Sequence, residues 1–84
     1  MTIYEIVTYS VYDGNWMGYT GDLYLKRENA IDGLADWKKI WEGFIKYGVV
    51  LVEDNFESFS EFRKFCELKG YKSAVGIIEL ETND

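Results

Sequence analysis

The chain has 84 residues, 48% hydrophobic and 18% aromatic, and its 15 acidic residues against nine basic ones give a net charge of −6. With no histidine and a single cysteine, it lacks the side chains for a histidine-based catalytic triad, for most zinc sites and for an intrachain disulfide. The acidic balance also argues against direct nucleic-acid binding, which needs clustered Lys and Arg.

Two strands joined by a tight turn are predicted at the start of the chain. Residues 3–12 are rich in Ile, Val, Tyr and Thr, as is typical of a strand, and the Asp-Gly-Asn sequence at 13–15 favours a hairpin turn. A second strand is expected over residues 16–26. Gly18 and Gly21 weaken this strand and indicate a bulge or a bend.

An amphipathic helix is predicted to follow. Asn29 is expected to cap its amino terminus, and Gly48 is expected to end it after about Tyr47. Between these positions, apolar residues recur at steps of four and three, which places them on one helical face. They are Ala30, Leu34, Trp37, Trp41 and Phe44.

The remaining residues predict a strand, a second helix and a last strand. The apolar run 49–52 is typical of a strand that is buried on both faces. Ser58 and Glu61 have the spacing of a capping box, with Phe56 placed to pack against the new helix, which Gly70 is expected to stop. Residues 73–81 are predicted to form the final strand.

This order of elements, ββαβαβ, predicts a single α+β domain over residues 1–84. We expect a two-layer sandwich, in which a mixed sheet of about four strands carries both helices on one face, because the two apolar helical stripes need a surface to cover. The residues expected in the core are Trp37, Trp41, Phe44, Val50, Val52, Phe62, Phe65 and Ile78.

Rows of carboxylates are the strongest candidate for a binding surface. Glu28, Asp32 and Asp36 recur every four residues, so they line one face of the first helix with a rise of roughly 6 Å per step. A second acidic group surrounds the start of the second helix and consists of Glu53, Asp54, Glu57 and Glu61. Carboxylates at such spacings can imitate a nucleic-acid backbone towards a basic partner. The alternative is a solvated acidic face that serves only solubility.

Aromatic side chains around the hairpin offer a different site. Trp16, Tyr19 and Tyr24 could stack on a base or another planar ligand, although Lys26 and Arg27 are the only cations close to them in the sequence. The alternative function is therefore a homo-oligomer that binds or sequesters a small ligand or nucleotide through this hairpin. Fifteen aromatic residues exceed what one small core usually needs, which also favours a homodimer.

The two predicted hairpin strands and the arginine that follows them form a recognisable pattern. Its residues are Ile3, Tyr4, Trp16 to Thr20, Leu23 and Arg27. This pattern resembles the opening of the GIY-YIG nuclease domain, which places a tyrosine on each of two hairpin strands and an arginine on the next helix. Tyr4 matches the first tyrosine, Trp16 replaces the second and has no hydroxyl, and Arg27 is about one residue out of register. The resemblance implies at most a degenerate nuclease-like domain retained for binding.

The sequence as a whole predicts a small acidic interaction protein without enzymatic activity. We expect it to bind and to block or modulate a larger basic protein that handles nucleic acids. In general character it resembles the small inhibitors that phages encode against host defence, anti-CRISPR proteins among them. No cofactor, no metal and no membrane contact is expected. Because no signal or membrane segment is recognised and Cys66 has no partner, the expected location is the cytoplasm.

Overall fold

A computed structural model describes residues 1–11, 18–45 and 48–82. The order ββαβαβ and the α+β class agree with the prediction, while the expected turn at 13–15 lies outside the described residues. The elements are β1 (Thr2–Ser10), β2 (Gly18–Tyr24), α1 (Arg27–Phe44), β3 (Val50–Phe56), α2 (Phe59–Lys69) and β4 (Ser73–Glu81).

The four strands form one mixed sheet in the order β2-β1-β4-β3. β1 pairs antiparallel with β2 and with β4, while β3 runs parallel to β4. The two central strands are buried over residues 5–10 and 73–78. β2 and β3 lie at the two edges of the described sheet, and each has an irregular register with its neighbour.

The two helices cover opposite faces of this sheet, so the prediction that both lie on one face is wrong. On one face, Leu34 and Trp41 of α1 pack with Ile6 and Ile77. Successive strand residues point to opposite faces, so Val7 and Ile78 belong to the other side. There they pack with Phe62 and Cys66 of α2, in a cluster that shares no residue with the first. The architecture therefore has three layers, with a helix on each side of the sheet.

Glycines allow each helix to approach the sheet closely. A β-carbon added at Gly76 of β4 would lie 2.4 Å from a ring carbon of Phe62 in α2. A β-carbon added at Gly33 of α1 would lie 2.5 Å from the Tyr24 hydroxyl and 2.9 Å from a methyl of Ile6. These two contacts again place α2 and α1 against different faces of the sheet.

The first helix differs from its prediction at both ends. It begins at Arg27, with Lys26 rather than Asn29 at the N-cap and no side-chain capping hydrogen bond. It ends at Phe44, which is 56% exposed and so is not the core residue that the sequence predicts. Phe44 occupies the last helical position, where its ring contacts Trp41 at 6.3 Å between centroids.

The predicted strand at 49–52 is present and contributes to the core on both faces, but its burial is incomplete. Val49 belongs to the α1 cluster and Val52 to the α2 cluster, whereas Leu51 is 40% exposed. β3 itself starts at Val50 and continues to Phe56 at the edge of the described sheet. Of the other predicted core residues, Trp41, Phe62 and Ile78 are buried, and Trp37, Val50 and Phe65 pack against the core while half-buried.

The termini of α2 follow the predicted chemistry closely. The Ser58 hydroxyl accepts from the Glu61 amide at 3.2 Å, and the Glu61 carboxylate accepts from the Glu57 amide at 2.9 Å. The Phe56 ring packs edge-on against the ring of Phe62 near the start of the helix, with 5.5 Å between the ring centroids. Gly70 ends the helix in the left-handed conformation with φ 73°, as a glycine readily does.

Candidate acidic interaction surface

The three predicted acids of α1 lie exposed along its outer side. The buried residues Ala30 and Leu34 hold the inner side of the helix against the sheet. Glu28, Asp32 and Asp36 follow one another at four-residue steps on the side away from that core, and all three are exposed. None of them forms an ion pair with another described residue. Their charges are therefore available to a partner without any change in the core.

A fourth carboxylate, which the sequence analysis missed, extends this row onto β2. The Asp22 carboxylate accepts a hydrogen bond from the indole nitrogen of Trp37 in α1. Burial raises the pKa of Tyr24, and the negative charges of Asp22 and Asp36 raise it further, so both carboxylates lie near this phenol. We call Asp22, Glu28, Asp32 and Asp36 the α1 acidic face. Only the packing of α1 beside β2 brings Asp22 to the helical row.

The predicted acids Glu53 and Asp54 lie on β3, at the opposite edge of the sheet from β2. Both are exposed and fall in the stretch where the register with β4 is irregular. Arg27, the first residue of α1, donates through Nε to the Asn55 side chain at 2.6 Å and through Nη2 to the Glu53 carbonyl. These hydrogen bonds fasten the start of α1 beside the acidic part of β3.

Glu57 joins two further carboxylates at the end of the sheet. Glu57, Glu79 and Glu81 line a depression of about 360 Å³ where β3 and β4 end. Glu81 accepts from the Thr2 hydroxyl and lies 3.9 Å from the terminal amine of Met1. Across the described ranges, no three His, Cys, Asp or Glu residues are arranged to hold a metal ion. The depression is therefore an acidic region where the carboxyl ends of β3 and β4 meet.

Of the predicted aromatic residues, Trp16 lies outside the described residues. Tyr19 is 61% exposed, and its ring lies 5.8 Å from that of Phe59 in α2. Other aromatic rings pack within the α2 layer, where the Phe65 ring contacts the rings of Phe56 and Tyr71. The ligand-binding hairpin remains a prediction.

The tyrosine and the arginine of the nuclease-like pattern, Tyr4 and Arg27, are engaged in packing and hydrogen bonding. Tyr4 is half-buried, is paired in register with Tyr24 and packs against the α1 core. The guanidinium of Arg27 donates the two hydrogen bonds to β3. Tyr4 and Arg27 therefore both have a structural role within the fold.

Comparisons of the chain with protein-family models, with curated proteins and with solved structures give no significant match. Among the described residues, no helix combines the length and the apolar character needed to cross a bilayer. The geometry of the surface therefore supplies the argument for function.

Proposed function

We propose that this protein is a non-enzymatic binding protein that docks on a larger protein through the α1 acidic face and blocks or modulates it. The observation that carries the proposal is the row of exposed carboxylates on α1, none of them in an ion pair with another described residue. A matching partner presents a basic surface, such as the groove in which a nucleic-acid-handling protein binds phosphates. By occupying that groove, the protein excludes nucleic acid from it.

Electrostatics explains why such a surface suits an inhibitor. Exposed acids facing a basic groove accelerate the encounter and orient the two proteins, and salt screens this attraction over about 10 Å at moderate ionic strength. The net charge of −6 adds a long-range attraction towards a positively charged partner. The complex should therefore form fast and weaken as salt is added.

Small inhibitors that phages direct against host defence, including anti-CRISPR proteins, are the class that we propose for this chain. Support comes from its small size, its acidic balance and a surface whose carboxylate spacing resembles a charged backbone. The proposed place of action is the cytoplasm, in keeping with a buried free thiol at Cys66.

The test is a charge reversal on α1, with Asp32 and Asp36 both replaced by Lys. Because both side chains are exposed and belong to neither core cluster, the variant should fold with nearly unchanged thermal stability. Immobilised wild-type protein and the variant are incubated with lysate, and bound proteins are identified by mass spectrometry. We expect a basic protein that the wild type retains and the variant loses, with a slower association rate when it is purified.

A matched control separates a local effect from one of total charge. Glu53→Lys with Asp54→Lys makes the same change in net charge at the β3 edge. If this variant weakens binding as much as the α1 pair does, net charge rather than the α1 acidic face governs the contact. If the α1 variant binds and inhibits like the wild type, the proposal is wrong.

A further inference from the structure

The outer edge of β2 is the least covered part of the described sheet. β2 has β1 on one side and no described strand on the other, and none of its residues is buried. An edge strand presents backbone amides and carbonyls that can pair with another extended segment. No described strand covers this edge next to the α1 acidic face, although the Gly21 and Asp22 amides already donate to the side chains of Glu5 and Thr20.

The two sides of β2 differ in chemistry. On the α2 side, Tyr19 is 61% exposed and Leu23 is 57% exposed, opposite Val7 and Glu5 of β1. On the α1 side, Asp22 accepts from Trp37 and stands beside the acidic row of the helix. A segment lying along this edge would thus meet apolar side chains on one side of the sheet and carboxylates on the other.

We propose that the occupant is an extended segment of the basic partner in which Lys or Arg residues alternate with apolar ones. This inference rests on the proposed function and specifies how the partner is recognised. Side chains of an added strand alternate between the two faces of the sheet. Basic side chains would reach Asp22 and Asp36, while the intervening apolar side chains would cover Tyr19 and Leu23.

A second copy of this chain fits the same edge poorly. Pairing two β2 strands would bring two negatively charged edges together, each with Asp22 and the adjacent α1 acids. The register of β2 also shifts between the partners of Glu5 and Val7, where Gly21 has a positive φ of 87° and donates its amide to the Glu5 carboxylate at 3.0 Å. Such a bulge discourages long edge-to-edge pairing, so any segment that pairs here would be short.

The probe is a short synthetic peptide of alternating lysine and valine, titrated into isotope-labelled protein and followed by amide chemical shifts. A peptide of the same composition, with its lysines and valines in two blocks, is the reference. We expect the alternating peptide to bind about tenfold more tightly and to shift amides of residues 18–24 most. Equal binding of the two peptides, no saturable binding, or shifts centred elsewhere would overturn the proposal.

Two substitutions test the two sides of the edge. Asp22→Asn keeps an acceptor for the Trp37 indole but removes the charge, and Leu23→Gln removes the apolar contact. Each should weaken binding of the alternating peptide about fivefold. Leu68→Gln is the matched control, because Leu68 is 89% exposed on α2, and its effect should stay within about twofold. Equal effects of the two leucine substitutions would contradict the proposal.

A further measurement distinguishes failure of this strand-edge inference from failure of the proposed function. The same β2 variants are tested for retention of the lysate partner that depends on Asp32 and Asp36. If that partner is lost on reversal of the α1 charges but binds the β2 variants normally, the proposed function stands and the strand-edge mode of recognition is wrong.

Discussion

Replacing Gly76 by Ala tests the packing of α2 against the sheet most directly. The added β-carbon would lie 2.4, 2.9 and 3.1 Å from three ring atoms of Phe62, where ordinary contacts begin at 3.4 Å. Phe62 has no exposed surface, and the rings of Phe56 and Phe59 lie 5.5 and 6.1 Å from it. The ring or the strand must therefore move by about 1 Å within a close-packed core.

Overpacking of this kind costs about 1–3 kcal/mol, while replacing a strand glycine regains about 0.5–1 kcal/mol of backbone entropy. The difference between these two ranges is a net loss of about 0–2.5 kcal/mol in the free energy of unfolding, and we expect a value near its middle, about 1 kcal/mol. Urea denaturation followed by tryptophan fluorescence measures it, because the chain has three tryptophans. With an m value of about 1 kcal/mol/M, the midpoint should fall by about 1 M.

A double-mutant cycle shows whether the loss arises at the Phe62 ring. Phe62→Leu should destabilise the wild-type protein but cost less, or even stabilise, in the presence of Gly76→Ala, with a coupling of at least about 0.5 kcal/mol. If Gly76→Ala is as stable as the wild type, α2 does not pack on this strand as described. Additive effects of the two substitutions would place the strain elsewhere.

The other predictions concern the helices and the buried thiol. Gly43→Ala should stabilise the protein by up to about 1 kcal/mol, because the site is exposed in α1 and an added β-carbon meets nothing within 4 Å; a loss of stability would contradict this. Ser58→Ala should cost about 1 kcal/mol through loss of the cap, whereas Ser60→Ala on the exposed side of α2 should change little, and equal effects would refute the capping role. Burial, followed by the charge of Glu67, raises the pKa of the Cys66 thiol from 9.0 to about 12. The folded protein therefore retains this proton where the unfolded chain has lost it, so the stability advantage of wild type over Cys66→Ala should shrink as pH rises from 9 towards 12. An advantage of equal size near neutral pH and at about pH 11, measured by urea denaturation, would contradict this reasoning.

Local sequence signals determined most of the individual elements. The Ser58–Glu61 capping box, the stop at Gly70 and the strand at Ser73–Glu81 are found as predicted, because caps and strand patterns act within a few residues. The start of α1 was misplaced because a local cap at Asn29 was expected. Instead, the first turn is fastened by Arg27 to the distant strand β3, a contact that no local pattern reveals.

The exposed acidic row of α1 also follows from the sequence. Once the apolar residues set the inner side of the helix, the four-residue spacing of Glu28, Asp32 and Asp36 decided that these acids share the outer side. Asp22 could not be added in this way, because it joins the row through the contact of its strand with Trp37, fifteen positions along the chain.

The faces of the sheet on which the two helices lie follow from tertiary packing and not from local sequence patterns. Helical stripes show that each helix needs an apolar surface, but they do not say which one. A hint was present in β4, where consecutive apolar residues from Ala74 to Ile78 are typical of a strand covered on both sides. Both faces of the central strands must be removed from water. The helix α1 covers one face, and α2, which connects β3 to β4, covers the other.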